Sequence, residues 1–201
     1  MITRADINER VREWGLTEEV VEKDYVLGWL LWGIGSDPVL AQTWVFKGGT
    51  CLKKCYIETY RFSEDLDFTV LPGGPFRPDD VEPLLLRTLS RIAAESGIDF
   101  SKPPRLRLRP NGISAEGRVY YTGPRRTPQP ARVKLDISAD EVVVRPPVLE
   151  QIAHPYPDFG VNRWKQLRWP RGRRRLLLTA PARSRDTTSV CSSGQASSLR
   201  T

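Results

Sequence analysis

Apolar positions recur at helical spacing near the N-terminus and at strand spacing in short runs further along. Ile7 to Trp14 predicts a short helix with Val11 and Trp14 on one side. Thr17, followed by Glu18 and Glu19, reads as an N-cap with an acidic first turn. It opens a second helix through "VVEKDYVLGWLLWGIG". Val20, Val21, Tyr25, Leu27, Trp29 and Leu30 give that helix a broad apolar surface, so burial is expected. Glu22, Lys23 and Asp24 form a charged patch inside it. "TWVFKGGT" reads as a strand entering a turn, "CLKKCYIETY" as helical, and "LDFTVL" as a second strand stopped by Pro72-Gly73-Gly74. Residues 79–97 predict a helix with Pro83 near its first turn and Gly97 at its C-cap. Then come "RLRLRP", "GRVYYTG" and "ARVKLDIS", three β-like runs separated by turn residues. The order implies an α+β fold with a mixed sheet flanked by helices. "EVVVRPPV", residues 141–148, adds an edge strand, since its prolines exclude central pairing.

The chain has 201 residues, 39% hydrophobic and 27% charged, which supports one domain of good size. No apolar run reaches the ~20 residues that span a bilayer. The polar start "MITRADINERVREWG" is not that of a signal peptide, so a cytoplasmic protein without a membrane partner is expected. Three cysteines make no disulfide framework. Cys51 and Cys55 share one helix face and read as packing residues rather than zinc ligands. The lone histidine, His154, lies beside prolines and reads as structural.

Charge divides the chain in two. The formal net charge is +7, but residues 161–201 hold ten Lys/Arg and one Asp, which leaves 21 against 23 for residues 1–160. Residues 1–160 are read as the domain. Residues 161–201 lose both periodicities and carry the Arg/Ser/Thr bias of a basic, low-order tail.

The candidate chemistry lies between Phe46 and Phe68. A strand that ends in Gly48-Gly49 and turns into a helix presents free N–H groups and a positive dipole end to an anion such as a triphosphate. Thr50 adds a hydroxyl. A tight strand-to-helix turn would use the same glycines. Asp65 and Asp67 fall on one face of the following strand. Side by side they repel unless a cation sits between them, and hard oxygens at this spacing suit Mg²⁺. Asp136 and Lys134 lie on the polar side of "ARVKLDIS", placed to add a third carboxylate and a phosphate-neutralising cation. Three acids and a phosphate seat match the needs of metal-assisted nucleotidyl transfer, with Asp136 a candidate base.

These motifs resemble the AbiEii/AbiGii-type nucleotidyltransferase toxins, which include the MenT-like toxins and belong to the polymerase β-like nucleotidyltransferase superfamily. The resemblance rests on "VEKDYVLGWLL" (Val21–Leu31), "FKGGTCLKK" (Phe46–Lys54), "RFSEDLDFTV" (Arg61–Val70) and "VKLDIS", and covers roughly residues 1–155. It implies that Gly48, Gly49 and Thr50 hold the triphosphate, that Asp65 and Asp67 hold Mg²⁺, and that Lys47 and Arg61 contact phosphate. It implies an NTP substrate, an RNA acceptor (tRNA above all), and an AbiEi-like antitoxin regulator encoded next door. The family's usual C-terminal helical half, with its "A-E-K-x-x-A-L"-like helix, is not matched here. A reading-frame shift near residues 165–170, or a truncation, would account for the break. A catalytically inactive remnant with weak NTP binding, or an RNA-binding module acting through the basic tail, are the competing readings.

Overall fold

The computed structural model describes residues 1–57, 62–144, 146–159 and 175–178. Helix α1 (Arg4–Trp14) is opened by a capping box between Thr3 and Asp6 and closed by Gly15 in the left-handed region. Helix α2 (Glu18–Ser36) is capped by Thr17 and is buried along most of its length, as its broad apolar surface requires. Asp37 ends α2 and accepts from the Val39 and Leu40 amides, which starts the single turn α3 (Leu40–Thr43). Strand β1 (Trp44–Lys47) runs directly into α4 (Gly48–Cys55), and β2 (Asp65–Val70) follows. Helix α5 (Pro78–Ser96) has Pro78 in its first turn, Pro83 inside it, and Gly97 as its left-handed C-cap. Strands β3 (Arg105–Leu108), β4 (Ser114–Tyr121), β5 (Ala131–Ser138), β6 (Val148–Gln151) and β7 (Arg175–Leu178) complete the sheet, with a 3-10 turn at Pro157–Phe159.

The sheet is mixed, in the order β3-β4-β5-β2-β1-β7-β6. β2 lies antiparallel to β1 and parallel to β5. Its inward residues Leu66 and Phe68 join Trp44, Phe46, Val133, Leu135 and Ile137 in one core with α1, α2 and α5. The opposite face carries the polar alternates Asp65, Asp67, Lys134 and Asp136. Alternation thus divides the sheet into an apolar side under the helices and a charged side.

Two expectations change. The edge strand begins at Val148, after Pro146 and Pro147, and Val142 and Val144 are almost fully exposed. Proline lacks the N–H that a ladder needs, so pairing starts only beyond the pair. Residues 175–178, within the stretch read as a low-order tail, form β7, parallel to β1 and antiparallel to β6. The rest of 160–201 and Arg61 lie outside the described residues. Among the described residues no α-helix follows α5, and no helix is long and apolar enough to cross a membrane.

Candidate active site

The charged face is organised as cross-strand rows. Lys47 stands opposite Asp67, Asp67 opposite Asp136, Asp136 opposite Glu116, and Glu116 opposite Arg107. In the next row Asp65 stands opposite Lys134. Three of the sequence-derived acids, Asp65, Asp67 and Asp136, therefore share one face on neighbouring strands. Burial raises the Asp67 carboxyl above its usual range, and Asp136 and Asp65 push it the same way against Lys47 and Lys134. Among the described residues neither the Asp65 nor the Asp67 carboxylate has a hydrogen-bond or ion-pair partner.

Asp136 is differently placed. It accepts from Lys134 Nζ at 2.6 Å and from the Arg109 guanidinium, which also contacts Glu116 at 3.2 Å. That hydrogen bond keeps Lys134 charged to higher pH than an ordinary lysine. Lys47 pairs with Glu141, which also accepts from the Thr69 hydroxyl at 2.7 Å. Burial works against ionisation of Glu141, but these two donors outweigh it and hold the group below its ordinary value.

Gly48 has a physical reason to be glycine. Its φ is +78°, and a Cβ there would stand 2.2 Å from Asp67 Oδ2. The bare backbone lets the carboxylate lie against the start of α4. No side chain caps that helix, and its first N–H groups lack intrahelical partners. Gly49 sits in the same first turn. The Thr50 hydroxyl does not face outward. It is buried and donates to the Asp65 carbonyl at 2.5 Å, so its one proton ties α4 to the start of β2.

The charged patch of α2 ties three elements to this edge. Glu22 is buried and accepts the Arg125 amide at 2.7 Å, gripping the loop between β4 and β5. Burial raises its carboxyl above the usual range despite that bond. Lys23 pairs with Glu64, the residue before Asp65. Asp24 and Lys54 form a buried pair at 2.7 Å, with the Tyr156 hydroxyl 3.0 Å from Asp24 Oδ2. His154 packs into the core, where a Cβ on Gly28 would fall 2.0 Å from its Nδ1. Cys51 is buried, and its thiol is pushed up by its hydrogen bond to Cys55 and by burial. Sequence reasoning missed Arg109, Glu116 and Glu141. The Arg-Leu-Arg-Leu-Arg alternation signalled that these arginines share a face, but nothing in it gave the register that sets Glu116 beside Asp136.

The donor set fits a small hard cation. Two carboxylates on one face, without an ion-pair partner among the described residues and with Asp65 raising the Asp67 carboxyl, are what one Mg²⁺ sharing phosphate oxygens and water would relieve. Among the described residues no group of three His, Cys, Asp or Glu is gathered tightly enough to hold a metal alone.

A mixed sheet flanked by helices, with paired carboxylates on a central strand beside a glycine-headed helix, is the layout of a nucleotidyltransferase fold. The chain belongs to the AbiEii nucleotidyltransferase toxin family: the family model described as "Nucleotidyl transferase AbiEii toxin, Type IV TA system" matches residues 29–166. No curated protein matches the chain. Membership places the chain in a type IV toxin–antitoxin system, and so implies an antitoxin partner.

Proposed function

We propose that this chain transfers a nucleotide from an NTP to the 3′ hydroxyl of an RNA, with Mg²⁺ as cofactor and tRNA as the acceptor implied by the resemblance. The observation that carries the reading is the pair Asp65 and Asp67, unpartnered among the described residues, with Asp67 set against the uncapped start of α4. In the reaction the acceptor oxygen bonds to the α-phosphorus, the α–β anhydride bond breaks, and pyrophosphate leaves with the bonding electrons. Asp65 and Asp67 would hold Mg²⁺, which screens the triphosphate and polarises the α-phosphorus.

The free amides of Gly48 and Gly49 bind phosphate oxygens at the helix start. Thr50 positions Asp65 through its carbonyl and leaves phosphate binding to the amides. Lys47 and Lys134 neutralise phosphate charge, a role the resemblance also gives to Arg61, which lies outside the described residues. Once Lys134 turns from Asp136 to phosphate, Asp136 loses one of its two cations and accepts the hydroxyl proton. The antitoxin partner is an AbiEi-like regulator encoded next door.

The test incubates the full chain with Mg²⁺, each labelled NTP and total tRNA, beside Asp65→Ala. Labelled tRNA that disappears in the variant is the expected result. Labelling that persists undiminished in Asp65→Ala rejects the assignment.

A further inference from the structure

We propose that the exposed cationic face of β3, β4 and β5 is the track for the phosphate backbone of the acceptor RNA. The proposal rests on the nucleotidyl-transfer reading above. Arg105 stands directly opposite Arg118, Arg118 opposite Lys134, and Lys134 opposite Asp65. Three cations thus lie in one row across three strands, and the row ends at a carboxylate of the candidate active site. Like charges directly opposite each other destabilise a sheet, so folding alone gives no reason for the facing pair Arg105 and Arg118. The neighbouring row makes the contrast. There Arg107, Glu116 and Asp136 are held in ion pairs, with Arg109, just past the end of β3, bridging the two acids and Lys134 reaching across to Asp136. Arg105, Arg118 and Arg132 are exposed and have no hydrogen-bond or ion-pair partner among the described residues.

One row further along the same face, Arg132 stands opposite Tyr120, and Lys102 Nζ lies 3.9 Å from the Tyr120 ring centroid. An aromatic ring set among cations offers a base a stacking surface beside the charges that take its phosphates. The concentration is not a product of composition, since residues 1–160 carry 21 Lys/Arg against 23 Asp/Glu. A polyanion is the ligand of this chemistry. RNA is favoured over an acidic protein because the row leads to the point where a strand end must present its hydroxyl, and because Tyr120 offers a stacking ring.

The test uses the full chain and the double variant Arg105→Ala/Arg118→Ala, neither residue holding a partner among the described residues. Binding of a 5′-labelled RNA hairpin with a single-stranded 3′ overhang is followed by anisotropy across a salt series. Binding of Mg²⁺-NTP is measured in parallel and serves as the folding control. The expected result is weaker RNA binding, with the slope of log K against log salt reduced by about 1.4–1.8, and unchanged NTP binding. An unchanged slope with intact NTP binding overturns the track and leaves the proposed function standing. Absence of Mg²⁺-NTP binding by the unmodified chain removes the proposed function, while the RNA slope still reports on the track. Loss of binding to labelled polyglutamate with RNA binding unaltered assigns the face to an acidic protein and also overturns the proposal.

Discussion

Gly48 shows how much one side-chain absence can decide. Its positive φ and the 2.2 Å approach of Asp67 Oδ2 to the place a Cβ would take make two separate demands for glycine. For Gly48→Ala the left-handed backbone alone costs about 1–2 kcal/mol, and the clash displaces the Asp67 carboxylate. A lowered urea midpoint, together with loss of Mg²⁺-NTP binding, is the expected outcome; a variant with unaltered midpoint and binding contradicts it. His154 makes a different point. Burial lowers its pKa from 6.5 to about 4 against the opposing pull of Asp158. Between those values the unfolded chain binds a proton that the folded chain refuses. Stability therefore rises with pH through that window and is lost on acidification from 6.5 toward 4. From pH 7 to pH 5 one such group removes about 2 kcal/mol. Urea unfolding at both pH values should show that loss in the unmodified chain and a smaller one in His154→Gln. Equal pH dependence in the two proteins contradicts the account.

At the level of elements, α2 is the part that holds the site edge together. Its three consecutive charged residues reach the β4–β5 loop, the residue before β2, and α4. Lys54→Met removes one partner of a buried ion pair and leaves Asp24 with the Tyr156 hydroxyl alone. Breaking such a pair costs about 3–5 kcal/mol, whereas replacing both partners with apolar groups costs far less. The melting temperature should fall steeply in Lys54→Met and recover in large part in Asp24→Leu/Lys54→Met; no recovery contradicts the pairing. Much at this scale was legible in the sequence. Thr17 and Gly97 marked helix ends through their own cap chemistry, and the alternation in "ARVKLDIS" put Asp136 on the polar face. What was not legible depends on partners far along the chain. Glu22 finds Arg125, and the acceptor for the Thr50 hydroxyl is a backbone carbonyl that no side-chain pattern reveals. The start of β6 after two prolines, and the pairing of β7 with β1, depend on which edges remain open once the sheet is assembled.

Across the whole molecule, one sheet separates two environments. Its apolar side shares a core with α1, α2 and α5, and its charged side holds the carboxylates, their counter-cations and the arginine row. Stability comes mainly from the first side, so substitutions on the second side that remove charge without touching the core should spare the fold. Function is expected on the second side, where Asp65 and Asp67 share a face without an ion-pair partner among the described residues and Asp67 lies against the start of α4. The most direct measurement is calorimetric titration of an NTP into the full chain with and without Mg²⁺, repeated on Asp65→Asn/Asp67→Asn. The account predicts binding that requires Mg²⁺ and vanishes in the double variant while its melting temperature is kept. Binding that is equally tight without Mg²⁺, or undiminished in the folded double variant, would contradict it.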